Sequence, residues 1–540
     1  MPEQTGSLAR ANAGVAIGTA ASRVTGLARI IVFAAIVGQT SLADAFEIGN
    51  NAPNVIYELL IGGALAATLV PTFTKLRRER DTQAIGAVCG AIGLLTIVIT
   101  ALAVACAPLI VRAFTVDVAT GVDIERFRSV ATAMTRVFVL QIAFYAATAV
   151  GSAVLNAAGR FLAAAWAPVA ANLVTIVGFA LLGAGNDVRP LPLDVAAPGS
   201  GEFAWLVGST TVGITTMAII VIVAAARADA LPLPNLRLNH PAVRNILRLS
   251  FWSVAYIATN QAALLVVKNL ASPGTGNLDA YVKAFTVFQL PHGLLAVSLA
   301  VTFVPLLSRA AQDGDVADFS RRLLSGLRMT LFLTLPAGLG LAVMARPLVG
   351  TLLEHGAFDA DSADVTARTL TAFGVGLGAF SAYLFALRGF YSHGDTRTPF
   401  IVNVAQNVAN VVLAVLLVDR LGVTGLAFAF SGSYAIGALI AVTAVAKRHA
   451  NWTTASMLRG LAPMVAAAGT MAGASWLASN VVLGSNSVTT IAVSRTLIGI
   501  VVGVGTYAGL ARIFRIAEMT SLLGLLTRDS RGRRDESPRG

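Results

Sequence analysis

The sequence predicts an all-α polytopic membrane protein with about fourteen transmembrane helices, and three observations favour that fold class. Of the 540 residues, 56% are hydrophobic and only 12% are charged, a balance that soluble domains do not show. The apolar residues fall into separate stretches of roughly 20 residues or more, each long enough to cross a bilayer. The first half of the chain also resembles the second half. Together these features predict two parallel six-helix lobes followed by two additional helices.

The predicted spans follow one another along the chain with only short polar connections between them. A stretch of this length and polarity is typical of a transmembrane helix. The spans cover residues 12–38, 53–74, 84–112, 129–156, 161–184, 203–226, 245–268, 280–307, 322–346, 365–391, 399–419, 422–446, 459–482 and 490–513. No connection is long enough for a separate soluble domain, so catalysis in such a domain is not expected.

The two halves repeat at nearly the same offset. The matched pairs include Val70 with Val304, Pro71 with Pro305, and Asn172 with Asn407. Six spans per half is an even number, so both halves have the same orientation. Parallel repeats are typical of transporters whose substrate site lies near the middle of the membrane. We predict an N-terminal lobe (1–226), a cytoplasmic linker (227–244), a C-terminal lobe (245–446), two additional helices (447–513) and a basic cytoplasmic tail (514–540).

The distribution of lysine and arginine predicts the orientation. These residues are concentrated in the connections on the side of the N-terminus, and the opposite side is richer in aspartate and glutamate. The positive-inside rule therefore places both termini in the cytoplasm. The net charge of +12 does not indicate nucleic-acid binding, because the basic residues lie between apolar spans. The tail is expected to contact membrane lipids.

Arg23 and Arg29 are the most informative residues, because they lie inside the first span. Arg23 is at least about 16 Å from either end of that span, too deep for its side chain to reach the interface. A charge at mid-membrane costs about 2.5–3.5 kcal/mol or more and usually faces a wet cavity on a transport pathway. The two arginines therefore predict a site for an anion.

Other ionisable residues would extend such a site. Lys268 and Lys283 bracket the connection between the seventh and eighth spans, and Arg136 lies in the fourth. Guanidinium groups match the oxygen atoms of phosphate, so a cavity lined by these residues suits an anionic head group. Alternatively, each cation pairs with a carboxylate and only stabilises packing. Asp44, Glu47 and Glu58 are the available partners.

Several longer motifs are specific when taken together. They are SRVTGLARIIVFAAIVG and LADAF (22–46), GGALAATLVPTF (62–73), FQLPHGLLAVSLAVTFVPLLS (288–308), LLEHGAFDADSA (352–363) and RGFYSHGDTRTPF (388–400). In these motifs the chain resembles the MviN/MurJ lipid II flippases of the MOP exporter superfamily. The resemblance extends over nearly the whole chain and includes the two additional helices.

The resemblance implies a bacterial plasma-membrane transporter rather than an enzyme. Its substrate would be lipid II, the undecaprenyl-pyrophosphate-linked peptidoglycan precursor, moved to the outer leaflet by alternating access. The family's functional residues correspond to Arg23, Arg29 and Asp44, and the last two helices (459–513) would form an apolar groove for the lipid tail. No cofactor or metal is implied. The membrane potential could drive transport, the coupling ion is open, and cell-wall synthesis proteins are possible partners.

The chain also departs from the family pattern. Tyr57 and Glu58 stand where the family often has paired arginines, and Thr286 stands where it has an arginine in the eighth helix. Lys283, three residues earlier and one helical turn away, would substitute for that arginine. We therefore assign Arg23, Arg29, Asp44, Lys283, Lys268 and Glu58 to the substrate site.

Three other functions stay open at this point. They are a flippase for a different lipid-linked glycan, a MATE-like exporter of cationic drugs, and a non-transporting scaffold of the cell-wall machinery. A drug exporter would have buried carboxylates without arginines in its first lobe. A scaffold would not need Arg23 or Arg29.

Overall fold

The computed structural model describes residues 2–58, 64–228, 230–231, 233–449, 452, 454–481 and 488–520. Every regular element in these ranges is helical. The α-helices are α1 (Pro2–Val37), α2 (Ser41–Tyr57), α3 (Ala64–Arg78), α4 (Thr82–Ala105), α5 (Ala107–Phe114), α6 (Ile124–Phe138), α7 (Gln141–Ala157), α8 (Leu162–Ala184), α9 (Gly201–Phe203), α10 (Ser209–Arg227), α11 (Pro241–Leu270), α12 (Asn277–Pro291), α13 (Val297–Gln312), α14 (Val316–Val343), α15 (Ala345–Leu352), α16 (Ala360–Val375), α17 (Leu377–Tyr391), α18 (Arg397–His449), α19 (Thr454–Val481) and α20 (Val488–Ile513). Short π-helical segments, Ala204–Gly208 and His292–Ala296, join α9 to α10 and α12 to α13.

The helices confirm the predicted all-α membrane fold. Within the described residues, 10 helical segments are long and apolar enough to cross a membrane, or 11 if α16 and α17, which meet at a 46° bend, count as one span. Residues 59–63 of the predicted second span, between α2 and α3, lie outside the described ranges. The number of fourteen spans stays a prediction.

The predicted eleventh and twelfth spans run together in the 53 residues of α18, which breaks at Gly422. The backbone there has φ 55° and ψ −140°, a conformation that essentially only glycine adopts. A Cβ at Gly425 would lie 2.6 Å from the carbonyl oxygen of Leu417, whereas a straight helix separates such residues by about 12 Å. Gln406 also donates to Ser433 at 2.9 Å. Because these contacts join the two arms, α18 is a helical hairpin.

The first of two compact units comprises residues 1–282 and 353–362. In it α8 packs against α1 and α10, α7 packs against α3 and α10, and α2 packs against α6. Its buried residues are mostly alanine, valine and leucine, which lets the helices approach closely, as in other membrane proteins.

The turns of the first unit define two opposite ends. One, which we call the Asp44 end, holds residues 38–44, 114–123, 185–200 and 271–276, joined by contacts such as Val116 N–H to Asn269 Oδ1 at 2.8 Å. At the other end the segment 233–240 lies on the start of α4, where Asn235 N–H donates to the Gly86 carbonyl at 3.0 Å. In the orientation predicted from the sequence this end lies outside the cytoplasm, and that orientation stays a prediction.

The second unit comprises residues 283–352 and 363–540. Its α17 packs against α14 and α18, and α19 packs against α14 and α20. Five phenylalanine rings form its aromatic centre: Phe285, Phe288, Phe373, Phe380 and Phe430. Edge-to-face pairs among them, as between Phe285 and Phe430, add to the stabilisation from apolar burial.

The division into units does not coincide with the predicted lobes. Helix α11, predicted as the first helix of the second lobe, packs against α3, α4 and α5 and belongs to the first unit. The packing of the helices does not test where the sequence repeat begins. The lobe boundary in 227–244 therefore stays a prediction. Of the predicted tail 514–540, residues 521–540 lie outside the described ranges.

Candidate functional site

Arg23 and Arg29 lie on α1, which is held against α8 by polar contacts. The Asn172 amide donates to the Ser22 carbonyl at 3.2 Å and to Thr25 Oγ1 at 3.1 Å. The Trp166 indole donates to the Gly14 carbonyl at 3.1 Å. These bonds fix the face of α1 on either side of Arg23. Asn172 therefore positions α1. Its polar side chain within an apolar span is the feature of the sequence that could have identified this role.

Neither arginine has a partner in the described part of the chain. The Arg23 side chain is exposed and that of Arg29 is half-buried, and neither makes a hydrogen bond or an ion pair within the described ranges. Pairing with a carboxylate to stabilise packing therefore does not account for either residue here. A guanidinium inside an apolar span without a counter-charge is available to an anionic ligand.

The carboxylate of Asp44 is bound by backbone N–H groups. Its side chain is fully buried, and its carboxylate accepts the backbone N–H groups of Gly274 and Gly276 at 2.8 Å and of Asp279 at 2.9 Å. Gly274 and Gly276 have φ of 108° and 83°, so the backbone wraps around the carboxylate in a conformation that favours glycine. In this structure Asp44 joins α2 to the start of α12, and its role in substrate binding stays a prediction.

Glu58 and Lys268 lie together, as two members of a polar cluster on α2 and α11. Gln261 donates to the Glu58 carboxylate, and buried Lys268 interacts electrostatically with Glu47 and Glu58. Lys268 therefore has two acidic neighbours within the protein. Among the described residues, no contact joins Glu58 or Lys268 to Arg23 or Arg29.

Lys283 and a possible metal site are the last two predictions to compare with the structure. Lys283 begins the second unit and is buried, with 3% of its surface exposed, and its role at the substrate site stays a prediction. Within the described ranges no group of three or more His, Cys, Asp or Glu residues could hold a metal ion.

An apolar groove of about 500 Å³ lies within the second unit, between α14, α15, α19 and α20. Its lining is dominated by aliphatic and methionine side chains such as Leu341, Met344, Met471 and Val504. Tyr507 contributes its ring, and its hydroxyl donates to the Phe332 carbonyl at 2.8 Å. Since that polar atom is satisfied, the groove offers a hydrocarbon-like surface. Two of its four helices, α19 and α20, are those for which the resemblance implies a lipid-tail groove.

Comparison with known proteins identifies the family. The family model described as lipid II flippase MurJ matches residues 33–496. A lipid II flippase MurJ from Burkholderia cenocepacia is 30% identical over 473 residues, which are 86% of this chain and 88% of that protein. A probable lipid II flippase MurJ from Rhizobium meliloti is 29% identical over 87% of each chain.

Solved structures share the fold. A lipid II flippase MurJ in an inward closed conformation matches with a TM-score of 0.74 and 22% identity, over 93% of this chain and 98% of that one. An inward-facing multidrug MATE transporter of the MOP superfamily matches with a TM-score of 0.64 and 15% identity, over 81% and 96%. At these identities the likeness concerns the fold, which the two transporter types share. The family match over most of the sequence makes the finer assignment: this chain belongs to the MurJ family of lipid II flippases.

Proposed function

We propose that the protein moves lipid II from the cytoplasmic to the outer leaflet of a bacterial plasma membrane, with both of its termini in the cytoplasm. The observation that carries the proposal is the pair of arginines on α1 that have no counter-charge in the described part of a MurJ-family chain. A pyrophosphate offers oxygen atoms to both guanidinium groups, and such charge-assisted hydrogen bonds are about twice as strong as neutral ones.

The groove in the second unit suits the lipid tail of the substrate. An undecaprenyl chain is a pure hydrocarbon, and the groove is lined almost entirely by carbon. Because the tail comes from a bilayer that is equally apolar, its binding in the groove depends on van der Waals packing. We assign the head group to Arg23 and Arg29 and part of the lipid tail to the groove.

Filling the groove should therefore impair transport. Gly499 and Gly503 line it on α20, where added side chains would meet Met344 and Ser475. We expect Gly503→Leu to reduce the growth rate of a strain that depends on this protein by at least about half, because leucine occupies space that the tail needs. Gly505→Leu and Gly509→Leu are matched controls on the same helix, since nothing lies within 4 Å of their Cβ positions. Equal growth of all three variants at equal abundance would argue against the groove.

Transport is proposed to follow alternating access, in which the arginine site opens first to one side of the membrane and then to the other. The cell interior is negative, so the outward movement of an anion is downhill. The potential contributes about 2.3 kcal/mol per elementary charge per 100 mV. We propose that this driving force suffices without a bound cofactor, and we assign no coupling ion.

The proposed driving force predicts a dependence on membrane potential. In vesicles that carry the purified protein, transport of a lipid-linked diphosphate should be slower by about tenfold or more without a membrane potential than with a potassium diffusion potential set by valinomycin and a potassium gradient. Vesicles without protein give the background. The same transport rate with and without the potential would contradict the proposal.

The function itself can be tested by replacement. The chain is expressed in a bacterium whose own lipid II flippase can be switched off, and growth after shut-off is followed. We expect the wild-type chain to restore growth. If it does not, although it reaches the membrane at normal abundance, another lipid-linked glycan becomes the substrate to test. Cell-wall synthesis proteins are proposed partners of the same pathway.

A further inference from the structure

A cationic cavity lies in the first unit, apart from α1. It measures about 460 Å³ and is lined by Pro108 and Arg112 of α5, by one face of α6, and by Pro198. The α6 residues include Glu125, Arg128, Thr132 and Arg136, which follow one another at three- and four-residue intervals and so share one side of the helix. Three arginines and one glutamate give this lining an excess of positive charge.

Among the described contacts, one of the three arginines in this cavity is hydrogen-bonded to the protein and two are not. Arg128 is anchored, because its guanidinium donates to Thr115 Oγ1 at 2.9 Å and to the Thr115 carbonyl at 2.6 Å. The side chains of Arg112 and Arg136 make no hydrogen bond or ion pair with any described residue. The cavity therefore combines one fixed guanidinium with two that are free to bind a ligand.

Other arginines near the connections do have partners among the described residues. Arg126, a neighbour on α6, pairs with Asp194 at 2.6 Å, and Arg189 donates to the Gly183 carbonyl at 2.7 Å. In the second unit Arg346 pairs with Asp364. Arg112 and Arg136 have no such acceptor, although the carboxylate of Glu125 lines the same cavity.

The surroundings indicate a ligand that lies in the membrane. Leu109 and Leu140, each within one helical turn of Arg112 or Arg136, are 62% and 45% exposed, which in a membrane-spanning protein places them against lipid. Arg112 is the last residue of the predicted third span (84–112), and Arg136 lies about 10 Å inside the predicted fourth (129–156), from where its long side chain can reach the membrane border. An exposed guanidinium at that depth is costly unless an anion accompanies it. Free phosphate would not enter this layer, but the phosphate of a lipid lies at its border.

We propose that the cavity formed by Arg112, Arg128 and Arg136 binds the phosphate group of an anionic membrane lipid in the leaflet at the Asp44 end. The two unpartnered guanidinium groups would bind the phosphodiester oxygens, and the flanking leucines would contact the acyl chains. This site is separate from the transported head group at Arg23 and Arg29, and it does not depend on which lipid-linked glycan the protein carries.

The test is native mass spectrometry of the full chain, purified in detergent and titrated with phosphatidylglycerol. We expect the affinity for one bound lipid to fall by about tenfold in Arg112→Gln and in Arg136→Gln, the loss of one charge-assisted contact. Arg126→Gln is the matched control, because that arginine lies on the same helix and pairs with Asp194. Ser129→Leu, which fills the cavity without changing its charge, should weaken binding similarly and covers the case that an arginine variant fails to fold.

Two further experiments distinguish the phosphate of a lipid from free inorganic phosphate. Diacylglycerol with the same acyl chains should not bind at this site, and inorganic phosphate at millimolar concentration should not displace phosphatidylglycerol. Equal affinity of the wild type and of the Arg112, Arg136 and Ser129 variants would overturn the proposal. Displacement by inorganic phosphate would also overturn it, because the ligand would then be a free anion.

Discussion

Replacing Arg23 or Arg29 by alanine should abolish the function of the protein while leaving it inserted in the membrane. Each guanidinium is expected to bind the pyrophosphate through charge-assisted hydrogen bonds worth about 1.5–3 kcal/mol, so one loss lowers affinity by roughly tenfold to a hundredfold. Neither side chain makes an ion pair within the described ranges, and its removal should not unfold the chain. The measurement is growth of a flippase-depleted strain, with abundance determined from the same membranes.

Two variants refine this prediction. Arg23→Lys keeps the charge but loses the planar fork, and it should restore growth only partly. Arg160→Ala is the control, because Arg160 is also exposed and without an ion pair in the described ranges but lies in the turn between α7 and α8. Normal growth with Arg23→Ala and Arg29→Ala would contradict the anion site. If deletion of the tail abolished growth as well, that result would favour a scaffold.

Asp44→Ala is expected to destabilise the protein more than any other substitution at the candidate site. It would leave three buried backbone N–H groups, those of Gly274, Gly276 and Asp279, without an acceptor. The cost of one such group is about 1–3 kcal/mol, and the link between α2 and the start of α12 would be lost. We expect a clearly lower melting temperature in detergent and less monodisperse protein.

The controls for Asp44 separate a structural role from substrate binding. Asp44→Asn retains one oxygen acceptor and should be intermediate in stability. Asp187→Ala removes an exposed carboxylate at the same end of the unit and should melt like the wild type. If Asp44→Ala has the melting temperature and abundance of the wild type but does not transport, the structural role is wrong and the predicted substrate contact is supported.

Much of the fold could be predicted because it depends on composition and periodicity. Apolar stretches identify helices that cross a membrane, and the observed helices occupy the predicted stretches. The predicted eleventh span ends at 419 and the twelfth begins at 422, and α18 breaks at Gly422. The packing of α11 within the first unit was not predictable in this way, since periodicity says which residues are apolar and not which neighbour they contact.

The candidate site could be predicted only in part. An arginine in an apolar span is visible in the sequence, so Arg23 and Arg29 were identified directly. The partners of a charged residue are not visible, because they come from distant parts of the chain. Asp44 accepts from residues more than 200 positions away, and Lys268 lies near Glu47 and Glu58 of another helix. For the same reason the cavity at Arg112 and Arg136 appeared only in the folded chain.

The most direct test of the central claim is to deplete the protein in its own host and measure how much lipid II is accessible at the outer leaflet. Our expectation is that depletion traps lipid II at the inner leaflet, and that the wild-type chain but neither Arg23→Ala nor Arg29→Ala restores its exposure. Lipid II that reaches the outer leaflet at the normal rate without the protein, or with both arginines removed, would contradict it.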